Sequence, residues 1–130
     1  MQLTVYLGGH TKETEYREYV KTNYSKKIKL IDPIDIFEDN TKNCNYIFIV
    51  RRDQKLILAS DLLVVYIKIG ATFGSVMEIV FAKTNNIPTF VIDPTKKFRE
   101  DPWLRFYSDL FFDSIDECSN YIISTKNKKE

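Results

Sequence analysis

Glu78 follows Gly74-Ser75 within the run Val76-Met77-Glu78-Ile79-Val80-Phe81-Ala82, shortly after an apolar stretch that begins at Asp61 and ends at Ile67. A carboxylate on the first turn of a helix, beyond the carboxyl end of a buried strand, stands where open parallel sheets bind ligands. The helix dipole favours its ionised form. The same four residues, Ser75-Val76-Met77-Glu78, also read as a capping box. In that reading Ser75 accepts from the backbone N–H of Glu78, and Glu78 reaches back to that of Ser75. A second feature with chemical potential is Gly8-Gly9 at the end of Leu3-Thr4-Val5-Tyr6-Leu7, a pair that marks a tight turn or a close approach of backbone to ligand.

These residues need elements to hold them, and 130 residues suffice for one hydrophobic core. Leu3 to Leu7 reads as a first strand, and Thr11 to Tyr24 as a helix with Tyr16, Tyr19, Val20 and Tyr24 at helical spacing. Lys29 to Ile31 is a second strand, stopped by Asp32-Pro33. Asn40 to Asn45 reads as a polar loop. Tyr46 to Val50 has strand propensity, but it runs without a break into a helical composition, so one helix is expected from about Tyr46 to Ala59. Leu62 to Ile67 is an unbroken buried strand. The Glu78 helix ends near Asn85-Asn86, and a strand from Pro88 to Ile92, a short helix from Trp103 to Tyr107, a strand at Leu110 to Phe112 and a helix from Ser114 to Ile123 complete the chain. The alternation predicts an α/β fold: a single-domain, doubly wound, flavodoxin-like five-stranded parallel sheet with helices on both faces. The domain is expected over residues 1–125, with 126–130 as a flexible lysine-rich tail.

Composition narrows the partners. With 19 basic and 18 acidic residues the formal charge is +1, too little to gather nucleic acid or an anionic membrane, so a small-molecule partner is expected. Cys44 and Cys118 match no metal-ligand spacing and fit a reduced, cytoplasmic chain. No signal peptide or membrane span is legible, and neither a metal nor a redox cofactor is implied.

Three pieces occur in series: Val5-Tyr6-Leu7-Gly8-Gly9, then Asp53 eight positions before Asp61, then Gly74-Ser75 ahead of Glu78-Ile79 and Ala82. Together they resemble the nucleoside 2-deoxyribosyltransferase family, which includes the related 2-deoxynucleoside 5′-monophosphate N-hydrolases. The resemblance covers roughly residues 1–93 and, more loosely, the chain to about Ile123. It implies a covalent glycosyl ester on Glu78, a Tyr6 hydroxyl that holds the nucleophile, and an Asp53 carboxyl beside the departing base. Substrate contacts are implied for Gly8, Gly9, His10, Thr72, Gly74 and Ser75. The substrate would be a 2-deoxynucleoside or deoxynucleotide together with a nucleobase, in a homodimer or larger even homo-oligomer.

Thr72 departs from the transferase pattern, where an aspartate often precedes the nucleophile by six residues. The monophosphate hydrolases carry a hydroxyl there, which tolerates a nearby phosphate. His10-Thr11-Lys12 could donate to such an anion. Bland alternatives stand beside each assignment: Tyr6 as a packing aromatic, Asp53 as a solvated helix residue paired with Arg51 or Arg52, His10 as an exposed loop residue, and the whole chain as a non-catalytic nucleotide-binding module. Asp61 opens its strand at the amino end and is read as structural.

Overall fold

The computed structural model describes residues 2–36 and 46–129, so the Asn40 to Asn45 loop and Cys44 lie outside the described residues. Its elements are β1 (Thr4–Gly9), α1 (Thr14–Tyr24), β2 (Lys29–Ile31), a 3-10 turn (Pro33–Ile36), α2 (Tyr46–Leu58), β3 (Leu62–Tyr66), α3 (Phe73–Thr84), β4 (Thr89–Ile92), α4 (Pro102–Tyr107), β5 (Leu110–Phe112) and α5 (Ile115–Lys129). The strands form one parallel sheet in the order β2-β1-β3-β4-β5. This is the flavodoxin-like order, and it places the topological switch point between β1 and β3.

Side chains of successive strand residues point to opposite faces, and the two cores follow that period. Val5 and Leu7 of β1 join Leu62 and Val64 of β3 in a core closed by Tyr16 and Val20 of α1 and Cys118 and Ile122 of α5. Tyr6, Leu63 and Val65 face the other way, onto Ile57 of α2 and Ile79 and Ala82 of α3. Each large apolar side chain buried in this way contributes roughly 1.5–3 kcal/mol. The consequence for function is direct: the β1 residue that turns toward α3 is the tyrosine.

Local signals explain the helix ends. Asp101 accepts from the Leu104 N–H at 2.9 Å and Pro102 opens α4, while Ser114 accepts from the Glu117 N–H at 3.1 Å to start α5. Asn86, at φ 60°, turns the chain out of α3. Asp61 sits just ahead of β3, where its Oδ2 accepts the Thr4 N–H at 2.8 Å and its own N–H donates to the Thr4 carbonyl at 2.8 Å. No described helix is long and apolar enough to cross a membrane.

The structure corrects four details of the sequence reading. The helix after β1 begins at Thr14 rather than Thr11, and Tyr19 lies 41% exposed, off the buried face made by Tyr16, Arg17 and Val20. A 3-10 turn at Pro33–Ile36 follows β2, where only a stop was expected. The backbone of α5 continues past Ile123 to Lys129. The fourth correction concerns α3. Its N-cap is Thr72, whose Oγ1 accepts the Ser75 N–H at 3.2 Å, so Ser75 is inside the helix and does not cap it. Thr72-x-x-Ser75 and Ser75-x-x-Glu78 have the same spacing, and the earlier hydroxyl took the cap. Glu78 therefore lies in the second turn, beyond the reach of a capping box and of most of the dipole.

Candidate functional site

Released from capping, the Glu78 carboxylate has another partner: its Oε2 accepts the hydroxyl proton of Tyr6 in a short hydrogen bond. Tyr6 is fully buried, in the middle of β1, opposite Leu63 of β3. A buried phenol needs a hydrogen-bond partner, and a rigid strand at the sheet centre fixes where that partner must be. The contact joins β1 to α3 across the switch point. It also fixes the carboxylate's orientation before any ligand arrives.

Burial dominates the electrostatics of the pair. It pushes the Glu78 carboxyl up from 4.5 to about 7, with nearby Asp53 adding to the rise, while the Tyr6 hydrogen bond and Arg17 oppose it. The Tyr6 hydroxyl is driven far above the ordinary phenol range, first by burial and then by Glu78, so it remains a donor. The expectation that a first-turn position keeps Glu78 ionised gives way to burial. A carboxyl poised near neutrality can both accept a proton and attack as an anion.

A cavity of about 250 Å³ opens over this pair, just under the usual size of a small-molecule site, roughly 300–1,000 Å³. One wall is α2, whose Val50, Asp53, Gln54 and Ile57 recur at helical spacing on the cavity side. Burial raises the Asp53 carboxyl above its ordinary value, against the pull of Arg52, whose Nε and Nη2 donate to Asp53 Oδ1 at 3.1 and 3.0 Å. The Arg52 pairing expected as a bland alternative is present, and Asp53 still lines the cavity. The opposite wall is the Gly8-Gly9 end of β1. Gly9 has φ +129°, and a Cβ there would meet the Tyr66 carbonyl at 2.9 Å, so no other residue fits that backbone. At the base of α3, Thr72 Oγ1 and Ser75 Oγ lie 3.0 Å apart and both line the cavity, with Gly74 between them.

Tyr6, Gly8, Gly9, Asp53, Thr72, Gly74, Ser75 and Glu78 are thus brought together around one space, along with Thr11. His10 is not among the lining residues. Its Nδ1 accepts the Lys12 N–H at 3.0 Å, which ties the ring to its own loop. The sequence reading passed over Arg17, Pro33 and Ile34, the apolar α2 residues Ile49, Val50 and Ile57, and Met77 and Phe81 of α3, which also line the cavity. A signal for Arg17 was available: it falls between Tyr16 and Val20 on the apolar stripe of α1, where a charge needs a reason. Among the described residues, no three His, Cys, Asp or Glu side chains gather to hold a metal ion.

No protein-family model and no curated protein sequence matches the chain. Solved structures do. A conserved protein from Enterococcus faecalis V583 superposes with a TM-score of 0.77 at 18% identity, over 96% of this chain and 99% of that one. A 2-deoxyribosyltransferase from the psychrotolerant bacterium Bacillus psychrosaccharolyticus superposes with a TM-score of 0.76 at 13% identity, over 91% of each chain. The likeness shows the fold. Both alignments span nearly the whole of each chain, so the likeness extends well beyond a common βαβ fragment. What Glu78, Tyr6 and Asp53 can do rests on their own geometry.

Proposed function

We propose that the protein is an N-glycosyl enzyme that cleaves the bond between a base and 2-deoxyribose and transfers the sugar to a second base. The observation that carries this reading is the part-buried Tyr6–Glu78 hydrogen bond inside a cavity that also holds Asp53. In the first step a Glu78 carboxylate oxygen attacks the anomeric carbon, and the bond to the base nitrogen breaks with its electron pair going to the base. Asp53, whose proton affinity burial has raised, protonates the departing nitrogen. In the second step a nitrogen of the incoming base attacks the anomeric carbon, the ester bond breaks, and the carboxylate is regenerated while Asp53 takes the proton. Tyr6 donates to the carboxylate throughout and keeps the attacking oxygen aimed.

A 2-deoxynucleoside 5′-monophosphate N-hydrolase is the second reading, supported by the paired hydroxyls of Thr72 and Ser75 at the start of α3 and the absence of a carboxylate at position 72. There water, rather than a base, resolves the ester. A homo-oligomer belongs to either reading. Phe73 and Met77 of α3 and Val50 of α2 are more than half exposed, and the last two line the cavity, so a second copy seated there would complete its mouth.

Chromatography of products from deoxynucleosides and their 5′-monophosphates, each with and without a second free base, tests the reading. A new nucleoside in the presence of the second base is the expected result. Base released from monophosphates alone selects the hydrolase, and no release from any substrate overturns both. Activity should fall as the pH drops through about 7, because Glu78 must be ionised to attack.

A further inference from the structure

Arg17 is only 3% exposed, on the stripe of α1 that faces the sheet. A guanidinium removed from water is costly unless its donors are matched. Nη1 donates to the Leu7 carbonyl at 2.8 Å and to Asp32 Oδ1 at 2.9 Å, and Nη2 donates to the Gly9 carbonyl at 3.0 Å. Leu7 and Gly9 flank Gly8, so one planar fork spans the end of β1. A lysine ammonium, a single point of charge, could not hold both carbonyls in that geometry.

Asp32 extends the arrangement. It is 4% exposed, accepts the Ile34 N–H at 3.0 Å through the same Oδ1, and meets Lys21 Nζ at 2.8 Å through Oδ2. The Arg17–Asp32 pair therefore ties the Gly8-Gly9 wall to the Pro33-Ile34 wall, and both walls, with Arg17 itself, line the cavity over Glu78. Among the described residues, the charged and titratable groups acting on Glu78 are Tyr6 from β1, Asp53 from α2 and Arg17 from α1. Arg17 is the one of these three that carries positive charge.

We propose that Arg17 is a positioning residue of this site, which holds the two walls in register with Glu78 and sets a buried positive charge against the carboxylates of the cavity. This rests on the reading of Glu78 as nucleophile, and it explains why an arginine occupies an apolar helix stripe. Removing the charge should make Glu78 harder to ionise, since Arg17 opposes the burial that raises it. Keeping the charge but losing the fork should spare that ionisation and misplace the Gly8-Gly9 wall.

The test uses the full chain with carboxyl-labelled glutamate, the Glu78 resonance being assigned by its loss in Glu78→Gln. Its titration midpoint is followed by NMR in wild type, Arg17→Lys and the double variant Arg17→Met/Asp32→Asn, which removes the buried pair together, with circular dichroism reporting the fold. The double variant should raise the midpoint. Arg17→Lys should hold the midpoint near wild type while kcat falls about 10-fold or more, with KM changed less. An unmoved midpoint in the folded double variant overturns the charge role, and wild-type kcat in Arg17→Lys overturns the clamp. A wild type that cleaves nothing while the midpoint still moves removes the proposed reaction and leaves the Arg17–Glu78 coupling standing.

Discussion

The two ends of the sheet use carboxylates in opposite ways. At the amino end, Asp61 and Asp109 accept strand N–H groups, from Thr4 at 2.8 Å and Thr89 at 2.7 Å, and so splice loops to the first residues of β1 and β4. At the carboxyl end, Asp32, Asp53 and Glu78 meet side chains, Arg17 and Lys21, Arg52, and Tyr6, with the Ile34 N–H a further donor to Asp32. The amino-end carboxylates satisfy backbone that the sheet itself would leave unpaired. The carboxyl-end ones are held by side chains around an open cavity, where the parallel sheet leaves its crevice. The same residue chemistry builds structure at one end and a site at the other.

Replacing residues at each end should separate the two roles. The largest effect belongs to Glu78. Glu78→Ala removes the proposed nucleophile and should lower base release by about 10³-fold or more, with circular dichroism unchanged. A variant retaining more than a tenth of the wild-type rate would assign the chemistry to another group.

Next comes the pH dependence of stability. Glu78 titrates at about 7 in the fold against an ordinary 4.5, so the folded state favours its protonated form. Its contribution is therefore fully present below about 4.5 and is lost as pH rises through about 7. Relative to wild type, Glu78→Gln should gain about 1–3 kcal/mol in urea unfolding between pH 4.5 and pH 8. Parallel curves for the two proteins would show that burial does not govern this carboxyl.

Tyr6→Phe should cost less, about 10-fold in kcat with little change in KM, since it removes one orienting donor and keeps the ring. Equal rates would reduce Tyr6 to packing. The smallest effect is expected at the amino end. Asp61→Ala should lower stability by about 1 kcal/mol through the orphaned Thr4 N–H and leave kcat and KM within twofold of wild type. A selective loss of activity there would break the contrast between the two ends.

The sheet was legible in the sequence because its strands are short apolar runs, rich in β-branched and aromatic residues and bounded by Gly, Pro or Asp. The helix at Tyr46 was legible despite its strand propensity, because no turn residue interrupts it before Ala59. Helix starts were less so. Thr72 and Ser75 are both good caps three residues apart, and only the tertiary contact of Glu78 with Tyr6 distinguishes them. The extra turns of α5 were hidden because Ser, Thr, Asn and Lys after Ile123 give no apolar stripe to follow.

Of the site, Gly8, Gly9, Gly74, Ser75 and Glu78 were legible from their places at a strand end and a helix start, whereas Tyr6, Asp53 and Thr72 were picked out only through the family resemblance. His10 was drawn in by the family resemblance and its capacity to donate to an anion, and its bond to the Lys12 N–H turns the ring to a local task. Arg17 and Asp32 went unseen for the opposite reason. Arg17 left one trace, a charge on the apolar stripe of α1, but Asp32 lies fifteen residues away and reads only as a strand stop before proline, and their pairing exists only once β1 and β2 lie side by side. Long-range compensation of buried charge leaves little local trace in a sequence.

The central claim, a glycosyl ester on Glu78, is tested most directly by trapping it. A 2-deoxynucleoside analogue with fluorine at the 2-position slows both steps by destabilising the oxocarbenium-like transition state, and with a good leaving base the ester accumulates. Intact-mass measurement followed by peptide mapping should then place one sugar-sized adduct on the peptide that carries Glu78, absent in Glu78→Gln. Base release from the wild-type protein with no adduct, or an adduct that persists in Glu78→Gln, would contradict the account.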